Sequence, residues 1–301
     1  MPLEGARRHG GQPSQPNRLV NDTECVGFLQ WALPRLGMRW AGFRRVRGQV
    51  CKRLARRLSL VGLRSLADYR ALLEADPAEW SQVDGLCRIS ISRFYRDRGV
   101  WWDLQHRLLP SLAAQALARG ETRLRIWSAG CASGGEPYTL ALMFALGAVS
   151  PACEPEIIAT DADPRLLARA RRACYPPGSL RDLPPVWRAV FVEAGEERCL
   201  PLAYRATVRF LQQDIRHGIP DGRFGLILCR NLAFTYYCES LQVAIAQRLA
   251  RALGPGGLLL LGARESLPKV VSGLVQEQPW LYRRETRYPE PTTARGSLGS
   301  L

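Results

Sequence analysis

From about residue 122 onward, short apolar runs alternate with amphipathic helical stretches, and this alternation constrains the fold more than any other feature of the chain. TRLRIWSAG reads as a strand running into small residues, and EPYTLALMFAL reads as the helix behind it. EIIATDAD and DPRLLARARRA repeat the pattern, as do FGLILCRN and ESLQVAIAQRLARALGPGG, a long helix with a glycine stop. GLLLLGA is a further strand, and LVQEQPWLYRRE is expected to close an edge of the sheet. Strand followed by helix, several times over, predicts a parallel, doubly wound α/β sheet. The rhythm is interrupted over about 176–209, which reads as a small inserted β-subdomain.

The preceding segment, 21–96, has a different period. WALPRLGMRW, VRGQVCKRLARRLSLVGL, SLADYRALLEA and EWSQVDGLCRI place apolar residues three and four apart, which predicts a small all-α domain. Asp76–Pro77 is expected to end one helix and start the next. Residues 97–120 read as one amphipathic linker helix, 121–284 as the α/β domain, and 1–20 and 285–301 as loose tails.

Composition narrows the class. Forty-two basic residues against 27 acidic ones leave a formal charge of +15, which favours acidic partners. All the basic residues but Lys52 and Lys269 are arginine. The nine cysteines include no CxxC pair and the three histidines are scattered, so no metal site is expected. Several cysteines sit in apolar runs, as buried free thiols do, and a reducing, cytoplasmic setting fits them. No apolar run is long enough to span a membrane.

Chemistry collects at the strand ends. After the first strand comes Gly130-Cys-Ala-Ser-Gly-Gly-Glu136, which is neither a GxGxxG fingerprint nor a P-loop. Small residues there let a ligand approach the backbone, and the turn suits S-adenosylmethionine, whose ammonium Glu136 would meet. Asp161, 31 residues after Gly130, stands where an acid accepts ribose hydroxyls. Asp163, before Pro164, reads as a helix N-cap. Asp214 and Ile215 follow the next strand, placed to take an adenine amino group and pack on its ring. Arg230 and Asn231 follow the strand FGLILC, where a methyl acceptor would meet the sulfonium. ISRFYRD, taken alone, reads as helix-end packing with solvated arginines.

In this order the segments resemble the chemotaxis receptor methyltransferases, the CheR family, over about residues 25–284. The resemblance rests on ISRFYRD, SAGCASGGEPYTLAL, ATDAD, the insertion, CRN and GPGGLLLLGARES. It implies a Rossmann-like S-adenosylmethionine-dependent methyltransferase domain preceded by an all-α domain, and transfer of a methyl group to a glutamate carboxylate. It implies that Ser92, Arg96, Gly130, Glu136, Asp161, Asp214, Ile215 and Asn231 line the cofactor, and that Arg96, Arg230 and Tyr236 serve the acceptor. No metal is implied. An ionised acceptor needs no general base, so alignment and exclusion of water suffice. An arginine beside the acceptor would hold its carboxylate as a bidentate pair.

The chain departs from the family mainly on the acceptor side. CRNVLIYF becomes CRNLAFTYY, so Thr235 replaces a tyrosine thought to face the acceptor. TGEEPYS loses its first glutamate at Gly135, FD becomes Phe224-Gly225, and GHSE becomes Gly262-Ala263-Arg264-Glu265. The basic stretch Arg44, Arg45, Arg47, Lys52, Arg53, Arg56, Arg57 contains no acid and is expected to dock an acidic, receptor-like protein. Its aliphatic interleaving offers no base-stacking platform, so no stable nucleic-acid complex is expected. Two rival readings follow: methylation of another protein or small-molecule acceptor, and a non-catalytic cofactor- or nucleic-acid-binding module.

Overall fold

The computed structural model describes residues 20–90, 93–147, 149–150 and 152–285. The chain divides into two compact units: residues up to Leu36 with Phe43–Arg88, and Gly37–Gly42 with the chain from Ile89 onward. The reading of 21–96 as one continuous helical domain is therefore corrected. Gly37–Gly42 belongs with the second unit, and that unit starts at Ile89 rather than at the linker helix.

The first unit is helical because its apolar residues recur every three or four positions. Helix Asp22–Arg35 starts with a capping box, the Glu24 N–H donating to the Asn21 side chain at 2.8 Å. Helix Arg47–Val61 buries Val50, Leu54 and Leu58. Asp76 ends helix Leu66–Ala75 and caps the turn Pro77–Glu79 that leads into helix Trp80–Cys87, as the Asp-Pro pair predicts. Glu79 is buried, and its carboxylate accepts two hydrogen bonds from Arg57 and one from the Tyr69 hydroxyl. Arg57 draws the Glu79 carboxyl below the usual carboxylate range despite burial, and burial pushes the Tyr69 phenol up. The basic stretch is thus not one docking face. Arg57 is tied to Glu79, Arg47 pairs with Asp22 at 2.9 Å, and Arg53 donates to the Leu86 and Arg88 carbonyls. Arg44, Arg45, Lys52 and Arg56 remain exposed.

The second unit carries the sheet. Its strands are β1 (Arg123–Ala129), β2 (Glu154–Asp161), β3 (Cys174–Tyr175), β4 (Val192–Ala194), β5 (Glu197–Cys199), β6 (Val208–Gln212), β7 (Phe224–Cys229), β8 (Leu253–Leu261), β9 (Leu274–Gln278) and β10 (Leu281–Arg284). Seven of them form one sheet in the order β6-β2-β1-β7-β8-β10-β9. All pairs are parallel except those of β10, which runs antiparallel to β8 and β9, and LVQEQPWLYRRE closes that side of the sheet as a β9–β10 hairpin with β9 at the edge. Strand order reverses between β1 and β7, so a crevice opens at their C-terminal ends. Trp127 is fully buried in β1, and its indole N–H donates to Thr160 of β2 at 3.0 Å.

Several local features differ from the sequence reading. The helix Glu239–Ala252 does not stop at glycine: Leu253 is already extended, and Gly254-Pro255-Gly256-Gly257 lies inside β8, where the ladder with β7 shifts register. The linker is one helical run, Arg98–Ala118, interrupted by a π turn at Leu104–Leu108. Pro110 has no N–H to give to an i−4 carbonyl, and a wider turn just ahead of it accommodates the loss. The insertion's three-stranded sheet, β3-β5-β4, starts at Cys174, while β6 joins the main sheet. In ISRFYRD, Phe94 and Tyr95 are buried rather than peripheral. The Phe94 ring lies edge-on to Tyr175 and Phe191 of the insertion, and Tyr95 lies edge-on to Trp187.

The cysteines are not all free thiols. Cys25 is bonded to Cys51 and Cys174 to Cys199, the latter directly across β3 and β5. Cys87, Cys131, Cys153 and Cys229 are free and buried, and burial pushes each thiol above its ordinary range. Thiol titration of protein purified without reductant is therefore expected to find one reactive group, Cys238, in the native state and five after unfolding. All nine should react only after reduction. Nine reactive thiols in unreduced, unfolded protein would contradict both disulfides.

Candidate functional site

The C-terminal ends of the parallel strands carry the candidate site. After β1 the chain turns at Gly130, whose φ of +72° lies in the left-handed region. A Cβ there would sit 2.6 Å from the Leu232 side chain, so the loop closes against the residue after Asn231 only because position 130 is glycine. The Gly130 and Cys131 N–H groups donate to the Thr160 carbonyl, which holds the loop against the end of β2. Asp161, the last residue of β2, accepts from the Ala132 and Asp163 N–H groups, both at 2.9 Å. Asp163 accepts from the Arg165 N–H and caps the helix Pro164–Arg172. One strand over, the Gln213 N–H donates to the Asp161 carbonyl. Asp214 is held by Arg216, whose guanidinium and backbone N–H both donate to its carboxylate, and Ile215 is buried beside it. The strand-end residues thus form one row, Gly130, Asp161, Asp214.

A second cluster surrounds Arg230. Its side chain is 4% exposed. It donates to the Asp97 carboxylate at 2.7 Å, to the Arg96 carbonyl at 2.9 Å and to the Glu136 carboxylate at 3.3 Å. Its guanidinium lies 5.1 Å from the centre of the Trp101 ring, and its Nε is buried without a hydrogen-bond partner. Glu136, in the first turn of the helix Gly135–Ala145, also accepts from the Ser128 hydroxyl at 2.7 Å. Burial raises the Glu136 carboxyl above the usual range, against the opposing pull of Arg230 and Ser128. The Arg230 guanidinium, expected from sequence to clamp the acceptor, is instead engaged with protein groups.

The third cluster turns on Glu265, which the sequence reading quotes only as the end of Gly-Ala-Arg-Glu. The side chain is buried. One oxygen accepts from the Asn231 N–H at 2.6 Å and the Gly262 N–H at 2.8 Å, and the other from the Thr235 hydroxyl at 2.5 Å. Asn231 has a φ of +54°. Tyr95, Asp97, Ala132 and Asn231 account for four of the five non-glycine residues with positive φ among the described residues, and strain of this kind gathers at functional sites.

Residues 37–42 were also missed. The Arg39 guanidinium donates to the Thr235 and Phe234 carbonyls, and its N–H donates to the Tyr236 carbonyl at 2.9 Å. Gly42 packs so closely that a Cβ would lie 2.3 Å from the Thr235 carbonyl oxygen. Partners nearly two hundred residues away leave no mark on local patterning. The segment after Asn231 is thereby fixed, and with it Tyr236, whose phenol is pushed up chiefly by burial while the Arg96 charge pulls the other way. Ser92 lies outside the described residues. Glu265→Ala would leave the Asn231 and Gly262 N–H groups buried without acceptors, and a loss of about 2–4 kcal/mol in urea unfolding is expected. An unchanged unfolding midpoint would show that this carboxylate does not hold the strand end.

The comparisons agree with this geometry. A family model described as CheR methyltransferase, SAM binding domain, matches residues 90–278, and one described as CheR methyltransferase, all-alpha domain, matches residues 46–83. The chain is 32% identical over 262 residues to the chemotaxis protein methyltransferase of Klebsiella aerogenes, covering 83% of this chain and 86% of that one. It is 33% identical over 196 residues to the corresponding protein of Listeria monocytogenes, covering 65% and 72%. Identity to chemotaxis protein methyltransferase 2 of Pseudomonas aeruginosa is 32% over 227 residues, covering 72% and 78%. A strand-end glycine loop, a row of carboxylates and two matching domain models lead to one assignment: this chain belongs to the CheR family of S-adenosylmethionine-dependent methyltransferases.

Proposed function

We propose that this methyltransferase esterifies a glutamate carboxylate of an acidic, chemoreceptor-like protein in the cytoplasm. The relatives' names support the acceptor class, and the Arg230–Glu136 cluster beside the glycine loop is the observation that carries the reading. The residues fit S-adenosylmethionine. The turn residue Gly130 carries no side chain, Glu136 offers a largely enclosed carboxylate for an ammonium, and the Asp161 carboxylate is held at the end of β2 by the Ala132 and Asp163 N–H groups, where ribose hydroxyls would lie. When bound, S-adenosylmethionine supplies a sulfonium methyl group that a carboxylate oxygen attacks directly.

The chain's own residues bind, orient and exclude water. Gly130, Asp214, Ile215 and Asn231 line the cofactor, with Asp214 fixed by Arg216, and Arg96 closes it from the segment before the linker helix. Arg96 and Tyr236 face the acceptor. Arg230 acts one step back, holding the Arg96–Asp97 backbone and the Glu136 carboxylate in register. No histidine or other base is required, because the acceptor is already ionised at neutral pH. The exposed Arg44, Arg45, Lys52 and Arg56 provide the docking charge. A different carboxylate- or hydroxyl-bearing acceptor is the second reading. It is favoured by Thr235, whose hydroxyl is spent on Glu265 instead of facing a substrate.

The test is incubation with methyl-labelled S-adenosylmethionine and a purified cytoplasmic chemoreceptor fragment. Label that is released as methanol by mild base, and is absent from a fragment with its methylation-region glutamates changed to alanine, is the expected result. Cofactor binding with no base-labile ester on any receptor fragment would overturn the acceptor assignment.

A further inference from the structure

Next to the Arg230 cluster, the second unit holds a cleft of about 550 Å3 whose lining includes Asp97, Arg98, Trp102, Arg107, Ala263 and Trp280. We propose that this cleft is a recognition subsite for the methyl-accepting protein, taking a short acidic segment anchored by one aromatic or large aliphatic side chain. The inference rests on the protein-carboxylate reading and adds to it where the acceptor chain is gripped.

Three observations carry it. The first is an exposed tryptophan. Trp102 is 57% exposed on the linker helix, so much of a large apolar side chain faces solvent. Its ring lies against His106, at 4.9 Å between centroids, and Trp280, partly buried against the core at the β9–β10 turn, lines the same cleft. Tryptophan and arginine together are the residue types that dominate binding energy at protein interfaces.

The second is the charge of the rim. The two carboxylates that line the cleft are already taken: Asp97 accepts from Arg230, and Asp103 accepts from Arg107 and from the Gln278 side chain at 3.1 Å. The cations reach outward. The Arg98 side chain is 70% exposed and bound only loosely, to Asp182 at 3.3 Å, while Arg107, 57% exposed, is engaged with Asp103. A solvent-exposed pair of this kind is worth little, so an incoming carboxylate can displace Asp182 from Arg98 at small cost. With Asp97 and Asp103 each held by an arginine, the exposed Arg98 is the lining group placed to receive an incoming carboxylate.

The third is continuity with the transfer site. Asp97 both lines the cleft and holds Arg230, which in turn bonds Glu136. Ala263 lies in the same short loop as Glu265, whose carboxylate fixes Asn231 and Thr235. A chain anchored between Trp102 and Trp280 therefore passes next to the groups assigned to the cofactor and acceptor.

The experiment measures fluorescence anisotropy of a labelled peptide carrying one central phenylalanine among glutamates, added to the full-length protein. Binding is expected to fall by about tenfold or more with Trp102→Ala, with Trp280→Ala and with Arg98→Glu, and to fall again when the peptide's phenylalanine becomes alanine or its glutamates become glutamine. It should weaken with added salt. Trp102 is exposed, so its alanine variant keeps the fold, and an unchanged affinity for S-adenosylmethionine confirms that. Absence of peptide binding, binding indifferent to Trp102→Ala and Arg98→Glu, or binding lost only with Lys52→Glu in the basic helix would each overturn the subsite. None of these outcomes depends on methyl transfer. Failure of the ester assay, with peptide binding intact, would instead overturn the acceptor assignment.

Discussion

The site depends on a guanidinium that has been taken out of water. Arg230 sits at the end of β7 with its side chain almost wholly buried, and burying a charge is costly unless it is paired and hydrogen-bonded. Its two terminal nitrogens are paired by two segments far apart in sequence, Arg96–Asp97 through a carbonyl and a carboxylate, and Glu136 through a carboxylate. Removing one partner of such a cluster leaves the others uncompensated, which costs about 3–5 kcal/mol in comparable buried pairs. A buried ion pair is weak evidence for net stability, because apolar side chains of similar volume can do as well. Its retention here is explained by position. It locks Arg96–Asp97, the end of β7 and the first turn of the helix Gly135–Ala145 into one geometry.

Glu265 does the same work on the other side of Asn231. A peptide held at positive φ needs its surroundings to over-determine it, and the carboxylate that accepts the Asn231, Gly262 and Thr235 donors does so. Close approach completes the frame, with glycine at 130 admitting Leu232 and glycine at 42 admitting the Thr235 carbonyl. Binding groups held on strand ends by packed neighbours lose little freedom when a ligand arrives, and this preorganisation favours methyl transfer by alignment alone.

Much of this was legible in the sequence, for physical reasons. The strand and helix periods differ, so alternating segments announce a doubly wound sheet, and the reversal of strand order puts Gly130, Asp161, Asp214 and Asn231 along one edge. Asp163 before Pro164 and Asp76 before Pro77 are local devices and act locally. What stayed hidden is long-range. Cys174 and Cys199 pair because two short strands meet in one register, which no spacing rule supplies. Arg39 reaches carbonyls 195 and 196 residues away. The internal use of Arg47, Arg53 and Arg57 depends on where Asp22, Glu79 and the end of the helix Trp80–Cys87 come to lie. GPGG reads as a helix stop, yet pairing with β7 extends the chain from Leu253 onward.

In the proposed site the cofactor's ammonium meets Glu136, whose carboxyl is raised above its ordinary value by burial. Only the ionised form can hold an ammonium, and a raised carboxyl takes up its proton at a higher pH than an exposed one. Calorimetric titration of S-adenosylmethionine across the acid range, on wild type and Glu136→Gln, therefore tests the central claim most directly. Wild-type affinity should decline as pH falls from neutrality, beginning above the ordinary glutamate value of 4.5, with Glu136→Gln binding weakly and showing no such decline. Equal affinity in the two proteins at neutral pH would contradict the account.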